Sequence, residues 1–141
     1  MRSLAFVIPG SLATRTGGYR YDDRIIRALR LRGWQVIVHE LPGAYPTPNA
    51  SAIDAADAVL QSLPDGQLVL IDGLALGALP ALAKKHGQRV RLVALIHHPL
   101  ALETGLDAQT ATALQHSEQK ALEAVRGVIV TSQATADLLP T

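Results

Sequence analysis

His97 and His98 stand side by side behind the apolar run 89–96 and directly ahead of Pro99. Imidazole changes charge nearest to neutral pH, so either ring can donate to a sugar hydroxyl or a phosphate, or move a proton. Neighbouring residues at the end of a strand point to opposite faces, so the two rings do not readily share one metal. One of them faces any cleft at that end. The bland alternative is a histidine that bonds only a loop carbonyl, and Pro99, by fixing the exit of the chain, favours a positioned ring. Asp72 closes another apolar run, where its carboxylate either holds sugar hydroxyls or caps the helix that follows. Glu103 lies in a loop near the histidines and could bind a hydroxyl, although loop acids are usually exposed. Ser132 is first a helix cap and only second a ligand contact.

Gly17 and Gly18 complete the set. They close a polar loop that follows the run ending at Pro9-Gly10, and a helical pattern begins at once. Strand, glycine loop and helix together make a ligand site, because glycine lets the backbone approach and the helix start offers free N–H groups. The alternative is a turn that merely needs positive φ. The fingerprints G-x-G-x-x-G, G-x-x-x-x-G-K-[ST] and G-x-S-x-G are absent. Their absence disfavours a dinucleotide dehydrogenase, a P-loop NTPase and an α/β-hydrolase.

The elements that must position these residues are legible from periodicity. Residues 3–8, 34–39, 67–71, 89–96 and 127–130 read as strands. Residues 19–32 read as a helix with Ile25, Ile26 and Leu29 inward, ended by Gly33 as a cap. Arg20, Arg24, Arg27 and Arg30 fall on its other side, as a solvated face or as a surface for an anionic acceptor or anionic lipid headgroups. Three prolines make 41–49 a loop. Ser51 with Asp54 resembles a capping box for the second helix. A third helix spans about 75–86, restarting at Pro80, and a fourth runs from an Asp107 cap to about Arg126 with Leu114, Ala121, Leu122 and Val125 inward. Ser132 would cap a last helix. Five strands alternating with helices predict an α/β fold in three layers, a parallel sheet of about five strands between helices. In such sheets ligands sit beyond the carboxyl ends of the strands, where the polar residues named above gather.

Composition narrows the class. With 141 residues, 48% of them apolar and 18% charged, the chain suffices for one domain with a real core. Aromatic residues, at 4%, are too few for a base-stacking nucleic-acid module. No cysteine is present, which excludes disulfides and thiolate metal sites and suits a cytoplasmic protein. No secretory leader is visible, because Pro9-Gly10 stops the first apolar run. Residues 1–39 hold seven arginines against two aspartates, whereas 40–141 hold six basic residues against ten acidic ones. The basic character is thus local to the first strand and helix, unlike a nucleic-acid-binding surface.

Three stretches taken in order carry a family resemblance. They are Thr16-Gly17-Gly18-Tyr19-Arg20-Tyr21-Asp22, Leu95-Ile96-His97-His98-Pro99-Leu100, and Glu118-Gln119-Lys120-Ala121-Leu122 leading into Val128-Ile129-Val130-Thr131-Ser132. Along essentially its whole length the chain resembles the amino-terminal half of a family 4 glycosyltransferase with the GT-B fold. The resemblance implies two Rossmann-like domains facing a cleft, of which residues 1–141 form the acceptor-side one. The donor-binding domain would follow Thr141. It implies retaining transfer from a nucleotide sugar, as co-substrate, to a glycan or lipid-linked acceptor, with no metal and no other cofactor. By similarity, Gly17, Gly18 and Tyr19 would lie near the donor phosphates and the acceptor, His98 would be the catalytic-cleft histidine, and Ser132 would border the second domain. The chain alone would be inactive and bind donor weakly. The implied location is cytoplasmic, with peripheral contact at an anionic membrane face as a further expectation. A stand-alone α/β binding or regulatory module and a small enzyme using His98 as acid or base are the alternatives.

Overall fold

A computed structural model describes residues 2–10, 17–102, 105–132 and 137, with the side chains of residues 17–19 left out of the description. The order is β1 (Ser3–Pro9), α1 (Gly17–Leu31), β2 (Gln35–Leu41), α2 (Ala50–Ser62), β3 (Leu68–Asp72), α3 (Gly73–Leu76), α4 (Pro80–His86), β4 (Arg91–Ile96), a 3₁₀ turn (Leu100–Leu102), α5 (Ala108–Leu122) and β5 (Gly127–Val130). The five strands form one parallel sheet in the order β2-β1-β3-β4-β5. The expected three-layer α/β architecture is what forms.

The alternation of side chains along a strand divides the core in two. Ala5 and Val7 of β1, Val69 and Ile71 of β3, and Leu92, Ala94 and Ile96 of β4 face one side. There they pack with Ala56 and Leu60 of α2, Ala75 and Leu76 of α3, Leu82 and Ala83 of α4, and Ala121 of α5. Leu4, Phe6 and Ile8 of β1, Leu70 of β3 and Leu95 of β4 face the other side, against Ile26, Ile25 and Leu29 of α1. The central strands are thus apolar on both faces, as a covered parallel sheet requires. Arg20, Arg24, Arg27 and Arg30 are exposed, and Arg27 pairs with Asp23 at 3.0 Å on the solvent side of α1.

Several boundaries differ from the sequence reading, each for a local reason. Asn49, rather than Ser51, caps α2 by accepting the Ala52 N–H at 2.9 Å, so the helix starts within the reach of the proline-rich loop. The third helix restarts at Pro80 as expected, but its first piece begins at Gly73, where Asp72 caps it, and ends at Leu76. β4 begins at Arg91 rather than Arg89, whose guanidinium instead holds the end of α2 through the carbonyls of Leu60 and Leu63. α5 stops at Leu122. Gly33 takes φ +89° just past α1, a conformation that permits the tight turn into β2. Asp107 caps α5 as expected, accepting the Thr110 N–H at 2.6 Å. The last helix and its Ser132 cap involve residues outside those described, as do Glu103 and the loop 11–16. Among the described residues no helix is long and apolar enough to cross a membrane.

Leu92 is fully buried at the centre of the larger core, while Leu31 is 88% exposed. Leu92→Ala is expected to cost about 2–5 kcal/mol of stability, and Leu31→Ala less than about 0.5 kcal/mol, by urea unfolding followed in the far ultraviolet.

Candidate functional site

The same alternation that sorts the core also sorts the polar residues at the carboxyl rim. Asp72 shares its parity in β3 with Leu70, which faces α1. His97, two residues beyond Leu95, keeps the α1 side as β4 ends. From the opposite direction comes Asp22, one turn before Ile25 and Ile26 on the buried stripe of α1. The last layer of this half of the core is therefore polar. Two carboxylates and one imidazole occupy the place of the next three apolar side chains.

The three groups touch. His97 Nε2 lies 3.1 Å from Asp22 Oδ1 and 3.5 Å from Asp72 Oδ2. Asp22 has no exposed surface and Asp72 is 3% exposed. The other oxygen of Asp72, Oδ1, accepts the Leu74 N–H at 2.9 Å and so caps α3. The cap reading of Asp72 is what forms, and its other oxygen turns to His97. Asp22 Oδ2 is buried and reaches no hydrogen-bond partner among the described residues. Tyr21 meets the His97 ring edge to face, with centroids 5.6 Å apart and planes at 79°. That contact fixes the plane of the imidazole.

Burial raises the Asp22 carboxyl to about 6, and neighbouring Asp72 pushes in the same direction, while His97 only partly offsets them. Burial alone would disfavour the His97 cation, but the two carboxylates outweigh it and lift the imidazole to about 9. At neutral pH the ring is accordingly a cation held between two acids.

A second acid steadies the chain just after His97. Glu118 of α5 is 4% exposed, and its Oε2 accepts the Leu100 N–H at 3.2 Å. Burial raises the Glu118 carboxyl, whereas this bond and the charge of His98 act in the opposite sense. The Leu100 side chain sits against Gly77, where an added Cβ would come within 2.5 Å of its Cδ1. Ser117 reaches across to the Gly77 carbonyl at 2.5 Å. The turn 97–100 is thus held at one end by a side-chain ion pair and at the other by a backbone hydrogen bond.

Of the residues singled out in the sequence, Asp72 and His97 are brought together. His98 turns the other way, is exposed, and lies within electrostatic reach of Glu118. Gly17, Gly18 and Tyr19 form the first turn of α1, one turn ahead of Asp22. Ser132 is exposed just after β5. Sequence reasoning missed Asp22 and left Glu118 without a role. Both carried a signal: each acid sits on the apolar stripe of its own helix, Asp22 with Ile25 and Ile26, Glu118 with Leu114 and Ala121. A charge on a buried stripe is far more informative than one on a solvated face.

Fold and site together define a doubly wound α/β protein with a buried polar cluster at its topological switch point. The strand order switches between β1 and β3, and the α1 residue and the β3 terminus flanking that point supply the two acids. No protein-family model matches the chain, and no curated protein matches it.

The two raised groups make stability fall with rising pH. A group whose folded pKa exceeds its unfolded value contributes stability that is complete below the unfolded value and lost as pH climbs through the folded one. For Asp22 that window runs from 3.8 to about 6, and for His97 from 6.5 to about 9. Relative to His97→Gln, the wild type should lose on the order of 2–3 kcal/mol between those His97 limits, read from urea midpoints across pH. Parallel curves for the two proteins would show that His97 gains no charge stabilisation from its acids.

Proposed function

We propose that the chain is the acceptor-side domain of a retaining glycosyltransferase of the GT-B type, which moves a sugar from a nucleotide-sugar donor to a glycan or lipid-linked acceptor. The observation that carries this reading is the convergence of the three sequence stretches behind the family resemblance. Asp22 from the first meets His97 from the second, across 75 positions of sequence. Leu100, from the second, is held by Glu118 from the third. Segments that resemble a family only weakly one by one are joined here by buried polar contacts at a single rim of the sheet.

The chemistry of the rim suits a polyhydroxylated ligand. A charged imidazole between fixed carboxylates is a directional donor, and charge-assisted hydrogen bonds are roughly twice as strong as neutral ones. Because the acids and the turn 97–100 fix the ring, little reorganisation accompanies binding. The cations needed to neutralise a nucleotide diphosphate would come from a second domain facing this rim. Closure of two halves also excludes water and limits hydrolysis of the donor. Of the residues implied by similarity, Gly17, Gly18 and Tyr19 would border the donor phosphates and acceptor, with His98 on the cleft wall and Ser132 at the interdomain edge. His97, rather than His98, is the histidine that the geometry favours for the sugar contact.

The test is transfer by the native polypeptide isolated from its source cells, assayed against a panel of nucleotide sugars. His97→Ala should lower kcat/KM roughly 10- to 100-fold, the effect of losing one hydrogen bond to a charged group, with the thermal unfolding transition retained. Transfer unaffected by His97→Ala would remove the cluster from the reaction, and the absence of transfer with every donor would favour the binding-module alternative.

A further inference from the structure

Asp22, Asp72 and His97 pose a charge problem that hydrogen bonds alone do not solve. Two carboxylates lie almost wholly inside the protein, and among the described residues a single imidazolium leaves them one positive charge short. An unbalanced buried charge costs several kcal/mol. Balance needs either a second proton in the cluster or a divalent cation with the ring neutral. Asp22 Oδ2 has no donor among the described residues, and the Asp22 carboxyl lies against that of Asp72, so the two acids must share either a proton or a cation.

The spacing of the three groups suits the second solution. One donor atom from each residue lies within 4.8 Å of the other two. The nitrogen-to-oxygen edges are 3.1 and 3.5 Å. Around a cation held about 2.0–2.1 Å from each ligand, tetrahedral neighbours stand about 3.3 Å apart. The ligands are also preorganised: Leu74 N–H anchors the far oxygen of Asp72, and Tyr21 sets the plane of the ring. Outer contacts of this kind orient metal ligands.

From this geometry we infer that Asp22, Asp72 and His97 form a site for a divalent transition cation of the Zn²⁺ or Mn²⁺ class. One imidazole with two carboxylates selects such ions over Ca²⁺ and Mg²⁺, which favour all-oxygen shells. Binding replaces the proton on His97 Nε2 with the metal, so each cation taken up releases protons. The site does not rest on the transferase reading and supplies no step of it. The cation ties α1 to the ends of β3 and β4.

The experiment titrates the chelator-treated chain with ZnCl₂ at neutral pH by calorimetry, in buffers of different ionisation enthalpy. The expected result is one site with a Kd of about 10 µM or tighter, release of protons on binding, and no comparable heat with CaCl₂. His97→Ala and Asp22→Asn should each weaken binding by about tenfold or more, while His98→Ala and His116→Ala should not. A readout on the wild type covers the event that a variant fails to fold: the ¹⁵N resonance of His97 Nε2 should move on Zn²⁺ addition. Binding weaker than about 100 µM, binding that persists in a folded Asp22→Asn chain, or an unmoved His97 Nε2 resonance would each overturn the inference. Because no sugar or nucleotide is present, the result is independent of whether the polypeptide transfers sugar.

Discussion

Two carboxylates buried beside each other constrain the rest of the cleft. Asp22 and Asp72 cannot both stay ionised at the α1 face of the sheet without a positive partner, and His97 is placed where it meets both. Everything that holds His97 there becomes necessary. Tyr21 sets its plane, Asp72 is pinned by the α3 backbone, and the following turn is clamped by Glu118 and seated against Gly77. The fold supplies a rigid frame for this arrangement, since each participant leaves the end of a central strand or the buried face of a helix.

The larger design follows from a parallel sheet with covered faces. Side chains along β1, β3 and β4 alternate between the α1 layer and the layer of α2, α3, α4 and α5. Asp72 as the last residue of β3 and His97 as the first beyond β4 keep that alternation and fall on one side. His98 goes to the other, towards α5 and Glu118. One pair of adjacent histidines thereby serves two different surroundings, a buried acid pair and an exposed turn. The switch in strand order between β1 and β3 lies beside the first of these.

Much of this was legible in the sequence. The strand and helix alternation, the parallel sheet and the rim location of Asp72 and the histidines all followed from apolar periodicity and from strand ends. The cap role of Asp72 was foreseeable, and so was the divergence of His97 and His98. Which histidine would meet the acids was not, because that depends on which layer holds α1, and the layer is set by long-range packing. Asp22 escaped because it adjoins the arginine face of its helix, where charges are ordinarily solvated. Its spacing from Ile25 and Ile26 placed it instead on the buried stripe. Asn49 displaced Ser51 as a cap because the proline-rich loop, and not the hydroxyl itself, decides where α2 can start.

The central claim is that His97 is a cation stabilised by Asp22 and Asp72. The most direct measurement is a pH titration of its imidazole nitrogens by long-range ¹H–¹⁵N NMR, with chelator present and the resonance assigned from the spectrum of His97→Gln. Stabilisation by the two acids predicts a midpoint near 9, well above the ordinary histidine value of 6.5. A midpoint at or below that ordinary value would contradict it, since burial would then outweigh the acids and the cluster would not be held together by charge.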